Sequence, residues 1–137
     1  ALIQSPFLVK PNLEELEQTL ARSLPSTDQM IKGMQEINQR GATWVVISQG
    51  KDALWATSEQ QVYRFTPAKA KVVNPIGCGD SLAAGIACGI HEGRSVPDAI
   101  RWGMASAADN LTQLLPARLS KTSVQTFFEQ IEMEQLV

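Results

Sequence analysis

The chain has 137 residues, 44% hydrophobic and 19% charged, a balance that builds one ordinary domain around a buried core and excludes a disordered or fibrous protein. Twelve Lys and Arg against fourteen Asp and Glu leave a formal charge of −2, so the basic excess that nucleic-acid binding draws on is missing and any anion must be held locally. The longest mostly apolar stretch, Leu82 to Ile90, is too short to cross a bilayer, and no basic region followed by an apolar signal core opens at Ala1, so the expectation is a cytoplasmic protein with no membrane partner.

The opening, LIQSPFLVKPN, is an apolar run closed by Pro11 and reads as the end of a buried strand. A helix follows, capped by Asn12, with Glu14 and Glu15 in its first turn, Leu13, Leu16 and Leu20 at helical spacing, and an end near Ser23. Ser26 and Gln29 have capping-box spacing for a second helix, whose apolar stripe is Met30, Met34 and Ile37 and whose stop is Gly41. TWVVIS, Thr43 to Ser48, is a β-branched run of strand length, and a helix leading into a buried strand is the αβ unit of a parallel sheet. After Gly50, the segments ALWATS and QVYRFTP, separated by Glu59 and Gln60, read as a hairpin at the sheet edge, and KVVNP as a further strand.

From Asp80 the pattern turns helical through Ile90; Gly93 breaks it, and Ser95 with Pro97 restart it, so that Ile100, Met104, Ala107 and Leu111 continue the apolar face. A final helix is expected near Thr122 to Gln135, on Val124, Phe127, Phe128, Ile131 and Met133. There is no internal repeat and no linker, so one α/β unit covers the chain. Cys78 and Cys88 fall ten residues apart on one helix, roughly 15 Å along its axis and beyond disulfide reach, and are expected as free thiols.

The chemistry concentrates in NPIGCGDSLAAGIA, Asn74 to Ala87, where a strand runs through two glycines into an apolar helix. Gly77 and Gly79 allow a tight turn and close approach to a ligand, and the unpaired first amides of the helix make an anion site. Asp80 stands where those amides converge, able to take a proton from an attacking hydroxyl as it closes on phosphorus. Taken alone, the turn is better read as a plain first-turn acid beside a tight loop, because so short a motif often arises by chance. No Gly-x-x-x-x-Gly-Lys-Ser/Thr string occurs, and Leu82 occupies the place of a third dinucleotide-fold glycine, which argues against a Walker-type nucleotidase and a nicotinamide enzyme. His91, beside Glu92 and Gly93, reads as a surface residue, and one His with two spaced Cys supplies no zinc site.

The Asn74 to Ala87 stretch resembles the second signature of the ribokinase-like (PfkB) carbohydrate kinases, usually Asp-Thr-x-Gly-Ala-Gly-Asp. Two further segments fall in family order: PNLEE, with Asn12 and Glu15 on the family's Asn-x-x-Glu motif, and SQG, Ser48 to Gly50, on the strand-end loop that meets ATP. RWGMASAADN, Arg101 to Asn110, resembles the helix bordering the adenine pocket. Lys10 before Pro-Asn, and Asn74-Pro75 in place of Asp-Thr, are most similar to the phosphosugar kinases of the tagatose-6-phosphate kinase and 1-phosphofructokinase type. Ala53, where a second loop glycine is usual, and Cys78, in place of Ala or Ser, depart from the pattern.

The resemblance implies an α/β fold, part of a three-layer αβα, ribokinase-like (Rossmann-like) sheet, mostly parallel with an edge hairpin. Residues 1–137 would be the C-terminal, ATP-binding and catalytic portion, with the N-terminal substrate and lid half absent. It implies ATP and Mg2+, with Asp80 as catalytic base and Gly77, Cys78 and Gly79 as the anion hole. Ser48, Gly50, Asn74, Ala107 and Asn110 would contact the nucleotide, and Asn12 with Glu15 would hold magnesium through water. The implied reaction is phosphoryl transfer to a hydroxyl of a tagatose-6-phosphate or fructose-1-phosphate type of sugar phosphate; the alternative is a non-catalytic nucleotide-binding module acting through a partner. Association with a second copy or with the missing half is left open.

Overall fold

Asn12 and Ser26, the two cap residues expected from the sequence, start the first two helices of a computed structural model that describes residues 7–49, 53–67, 78–111 and 121–136; for residues 78–80, 110–111 and 121–123 the description is of the backbone alone. In chain order the elements are β1 (Leu8–Val9), α1 (Leu13–Leu20), α2 (Thr27–Gln39), β2 (Trp44–Ser48), β3 (Leu54–Thr57), β4 (Val62–Thr66), α3 (Cys78–His91), α4 (Val96–Leu111), α5 (Lys121–Gln130) and β5 (Glu132–Gln135). Two compact units result, one of Ala1–Arg64 with Glu134–Val137 and one of Phe65–Met133. The expected strand KVVNP lies outside the described residues.

In the first unit, α1 stops at Leu20 because Ala21 turns into the left-handed region (φ 55°), and the Glu17 carboxylate then takes the Leu24 amide at 2.7 Å, steering the chain into α2. The apolar stripes of α1 and α2 meet one face of the sheet: Leu16, Leu20, Met30 and Met34 form a buried cluster with Val45, Ile47 and Trp55. Trp44, Val46, Leu54 and Ala56, on the alternate positions, are buried as well, so these strands read as near-continuous apolar runs.

The strands pair in the order β1-β2-β3-β4-β5. β1 and β2 are parallel, with Leu8 opposite Trp44 and Val9 opposite Val45; β2 and β3 are antiparallel, from Val45 opposite Thr57 to Ser48 opposite Leu54. The sheet is therefore mixed where a mostly parallel one was expected. Connection length is the reason, since α1 and α2 supply the crossover that parallel pairing needs, whereas the five residues between β2 and β3 permit only an antiparallel return.

The β3–β4 hairpin forms as expected, closed by Ser58 N–H to Gln61 O at 2.9 Å, but it is not the sheet edge. Residues Glu132 to Gln135, expected to continue the last helix, are a strand instead, and Leu136 N–H donates to Val62 O at 2.8 Å. Helical spacing carries the apolar pattern through Met133, but the unpaired edge of β4 offers these residues a ladder and wins.

In the second unit the break at Gly93 (φ 87°) separates α3 from α4. A Cβ on Gly85 would stand 2.6 Å from Gly103 Cα, and one on Gly89 would stand 2.9 Å from Ala99 Cα, so the two backbones touch. Rising positions on α3 meet falling positions on α4, which makes the pair an antiparallel hairpin of helices. Arg101 fastens α5 to it, its guanidinium 4.3 Å from the Phe128 ring centre and its Nη2 donating to Phe128 O at 3.2 Å.

Candidate functional site

Parallel pairing of β1 with β2 sends both strands out of the same sheet end, and the two motifs that follow them emerge there: Asn12 to Glu15 after β1, and Ser48 at the close of β2. In open α/β sheets, ligands sit beyond the carboxyl ends of the strands. Asn12 Oδ1 accepts the Glu15 N–H at 2.7 Å while Glu15 Oε1 accepts the Asn12 N–H at 2.9 Å, and both side chains are exposed. The reciprocal cap occupies one carboxylate oxygen and leaves Oε2 of Glu15 outside it. Beside it a cavity of about 450 Å³ is lined by Lys10 and Glu15 together with Val9, Leu16 and Ile37.

A directly ligated metal needs more donors than this. Among the described residues no group of three or more His, Cys, Asp or Glu could hold an ion. One outward carboxylate oxygen fits magnesium only as that ion is usually held beside nucleotides, through few protein ligands, waters and phosphate oxygens.

Ser48 is exposed and pairs with Leu54. Gln49 N–H donates to Ala53 O at 2.8 Å, closing the turn, and Gly50 lies outside the described residues. Ala53 departs from the glycine pattern without strain: Ala21 is the only non-glycine residue with positive φ among the described residues, so the backbone at position 53 does not require glycine.

In the second unit, α3 begins at Cys78, which puts Cys78, Gly79 and Asp80 in its first turn, where helix amides lack intrahelical partners. Gly77 and Asn74 lie outside the described residues. Ser81, next in line, is 3% exposed, and its hydroxyl has no hydrogen-bond partner among the described residues. The antiparallel hairpin brings the last turns of α4, carrying Ala107 and Asn110, to the same end as the first turn of α3. Ala107 is half-buried, and His91 is exposed as expected. Asp109 is 1% exposed, a buried carboxylic acid that the apolar pattern of α4 conceals in the sequence.

A family model described as pfkB family carbohydrate kinase matches residues 1–122. The chain is 40% identical over 108 residues to a D-tagatose-1-phosphate kinase from Bacillus licheniformis, covering 78% of this chain and 35% of that protein. It is 31% identical over 103 residues to a 1-phosphofructokinase from Bacillus subtilis, covering 75% of this chain and 34% of that one. Among solved structures, phosphofructokinase-2 from Escherichia coli in complex with substrates and products superposes with a TM-score of 0.80 at 28% identity, over 92% of this chain and 41% of the other. The chain thus spans well under half the length of the proteins it matches.

Proposed function

Since the chain belongs to the pfkB family of carbohydrate kinases, we propose that it supplies the nucleotide and phosphoryl-transfer part of an enzyme that moves the γ-phosphoryl group of ATP to a hydroxyl of a ketose monophosphate. The observation that carries this reading is Asp80 in the first turn of the fourteen-residue helix α3, preceded by Gly79. A carboxylate there can accept the proton of the attacking hydroxyl, while amides from Gly77 to Asp80 take up charge on the transferring phosphoryl group. Asn12 and Glu15 hold magnesium through water; the ion's contribution, once bound with ATP, is to neutralise phosphate charge. Ser48 and Gly50 after β2, Asn74, and Ala107 and Asn110 on α4 line the nucleotide.

The acceptor belongs to the tagatose-6-phosphate or fructose-1-phosphate type, in keeping with Lys10 and Asn74-Pro75. ADP release by the complete polypeptide carrying these residues, measured with MgATP and a panel of ketose monophosphates, tests the reading. Turnover with one of them and not with unphosphorylated sugars is expected; ATP binding without turnover on any sugar or sugar phosphate favours a non-catalytic nucleotide-binding module. That second reading is kept because the chain covers only 34% to 35% of its curated relatives.

A further inference from the structure

A second cavity, of about 580 Å³, lies at the opposite end of β2 from Ser48. Three segments of the first unit wall it: Gly41 to Thr43, which lead into β2; Ser58 to Gln61, the turn between β3 and β4; and Gln135 at the end of β5. Thr43 and Ser48 bracket β2, roughly 16 Å apart along an extended strand, which separates the cavity from the nucleotide site proposed above. Its size falls within the range of small-molecule sites, about 300–1,000 Å³.

The floor is Asn38, 1% exposed, whose Nδ2 donates to the carbonyl oxygens of Ala42, Thr43 and Thr57 and whose Oδ1 accepts the Thr57 hydroxyl. One buried amide thus holds the end of α2, the entry to β2 and the end of β3 in fixed relation, and a fully bonded network of this kind is rigid. The turn wall is closed by Ser58 N–H to Gln61 O at 2.9 Å and braced by Gln61 Nε2 donating to Tyr63 Oη at 3.3 Å. Leu136 N–H, donating to Val62 O at 2.8 Å, pins the β5 wall.

The rim decides what such a cavity can take. Thr43, Glu59 and Gln60 are exposed there and offer a hydroxyl, a carboxylate and a carboxamide. Among the described residues that line the cavity, Glu59 carries the only charge, so a phosphate would meet an anion with no lining cation to hold it. A ligand hydroxyl can donate to the carboxylate and accept from the amide or the threonine, and several hydroxyls on adjacent carbons match all three groups.

We propose that this cavity is a second binding site, which takes an uncharged polyhydroxylated molecule, a sugar or sugar alcohol without phosphate. It stands apart from the kinase reading, and failure of either leaves the other in place.

Calorimetric titration of the complete polypeptide with fructose, glucose, sorbitol and sucrose, in the presence of saturating MgATP and with inorganic phosphate as a control, tests it. At least one of the four should bind saturably. Glu59→Ala/Gln60→Ala should weaken that binding roughly tenfold or more, as expected from losing one charged and one neutral hydrogen-bond partner, while kcat and KM for ATP stay within twofold. Thr43→Val, on the facing wall, should weaken it as well, and decides alone should the double variant fail to fold. Because Gln135 is a wall, exchange of the Leu136 amide should slow roughly tenfold at a sugar concentration ten times Kd. No saturable binding by any of the four, binding that MgATP abolishes, or binding indifferent to both variants overturns the site. Binding of phosphate in place of the sugars overturns the assigned ligand class.

Discussion

Asn12 and Glu15 are bound to each other twice, each side chain accepting the other's backbone N–H, at 2.7 and 2.9 Å. The same two residues are proposed to hold magnesium through water, so a stability role and a catalytic role overlap and must be separated chemically. Glu15→Gln does so, because glutamine at the third helical position keeps the cap while the anionic oxygen is lost. The expected result is an unchanged melting temperature and a magnesium requirement raised roughly tenfold or more, the usual effect of altering a residue that orients a metal's ligands. Asn12→Ala, by contrast, should cost about 1 kcal/mol of stability in urea unfolding. An unaltered magnesium requirement in Glu15→Gln would reduce both residues to a helix cap.

The α3–α4 contact leaves no room for a methyl group. A Cβ on Gly103 would stand 2.6 Å from the Leu82 carbonyl oxygen and 2.6 Å from Ile86 Cγ1, so helix backbone must shift to admit it. Gly103→Ala should destabilise the protein by about 1–3 kcal/mol, read as a lower urea midpoint with unchanged m value. Because the same packing sets the first turn of α3 against the last turns of α4, activity should fall with it. Gly93, with nothing within 4 Å of its would-be Cβ among the described residues, is a control: Gly93→Ala is expected to meet only the strain of φ 87°, about 1 kcal/mol.

Asn38 is 1% exposed and saturated: its Nδ2 faces the carbonyl oxygens of Ala42, Thr43 and Thr57 at 3.0, 3.2 and 3.1 Å, and its Oδ1 accepts the Thr57 hydroxyl at 2.7 Å. Asn38→Ala strands buried carbonyls and should cost about 3 kcal/mol in chemical denaturation. Thr57→Val removes one member of the same network, so the double variant should lose less than the sum of the single ones. Full additivity would show that the two side chains do not act together.

What could be read in advance was whatever is local in the chain. The caps at Asn12 and Ser26, the break at Gly93 and the turn at Glu59-Gln60 each follow from residues within a few positions of one another, and the family signatures are likewise contiguous strings. The last strand was not legible, since Val124, Phe127, Phe128 and Ile131 keep helical spacing and only the distant edge of β4 turns Glu132 to Gln135 into a strand. Asn38 likewise sits among Met30, Met34 and Ile37 as one more position of α2; its purpose lies in carbonyls up to nineteen residues away. The motif residues of the candidate site could be named from sequence, but the polar cavity at the other end of β2 could not, because Thr43, Gln60 and Gln135 meet only once the sheet is built.

The proposed mechanism turns on proton acceptance by Asp80, and the most direct measurement is the turnover number of Asp80→Asn in the complete polypeptide, with ATP affinity and melting temperature followed alongside. Loss of a general base should lower kcat roughly a hundredfold or more while nucleotide binding and folding persist. A variant that turns over within a few-fold of wild type would contradict the assignment.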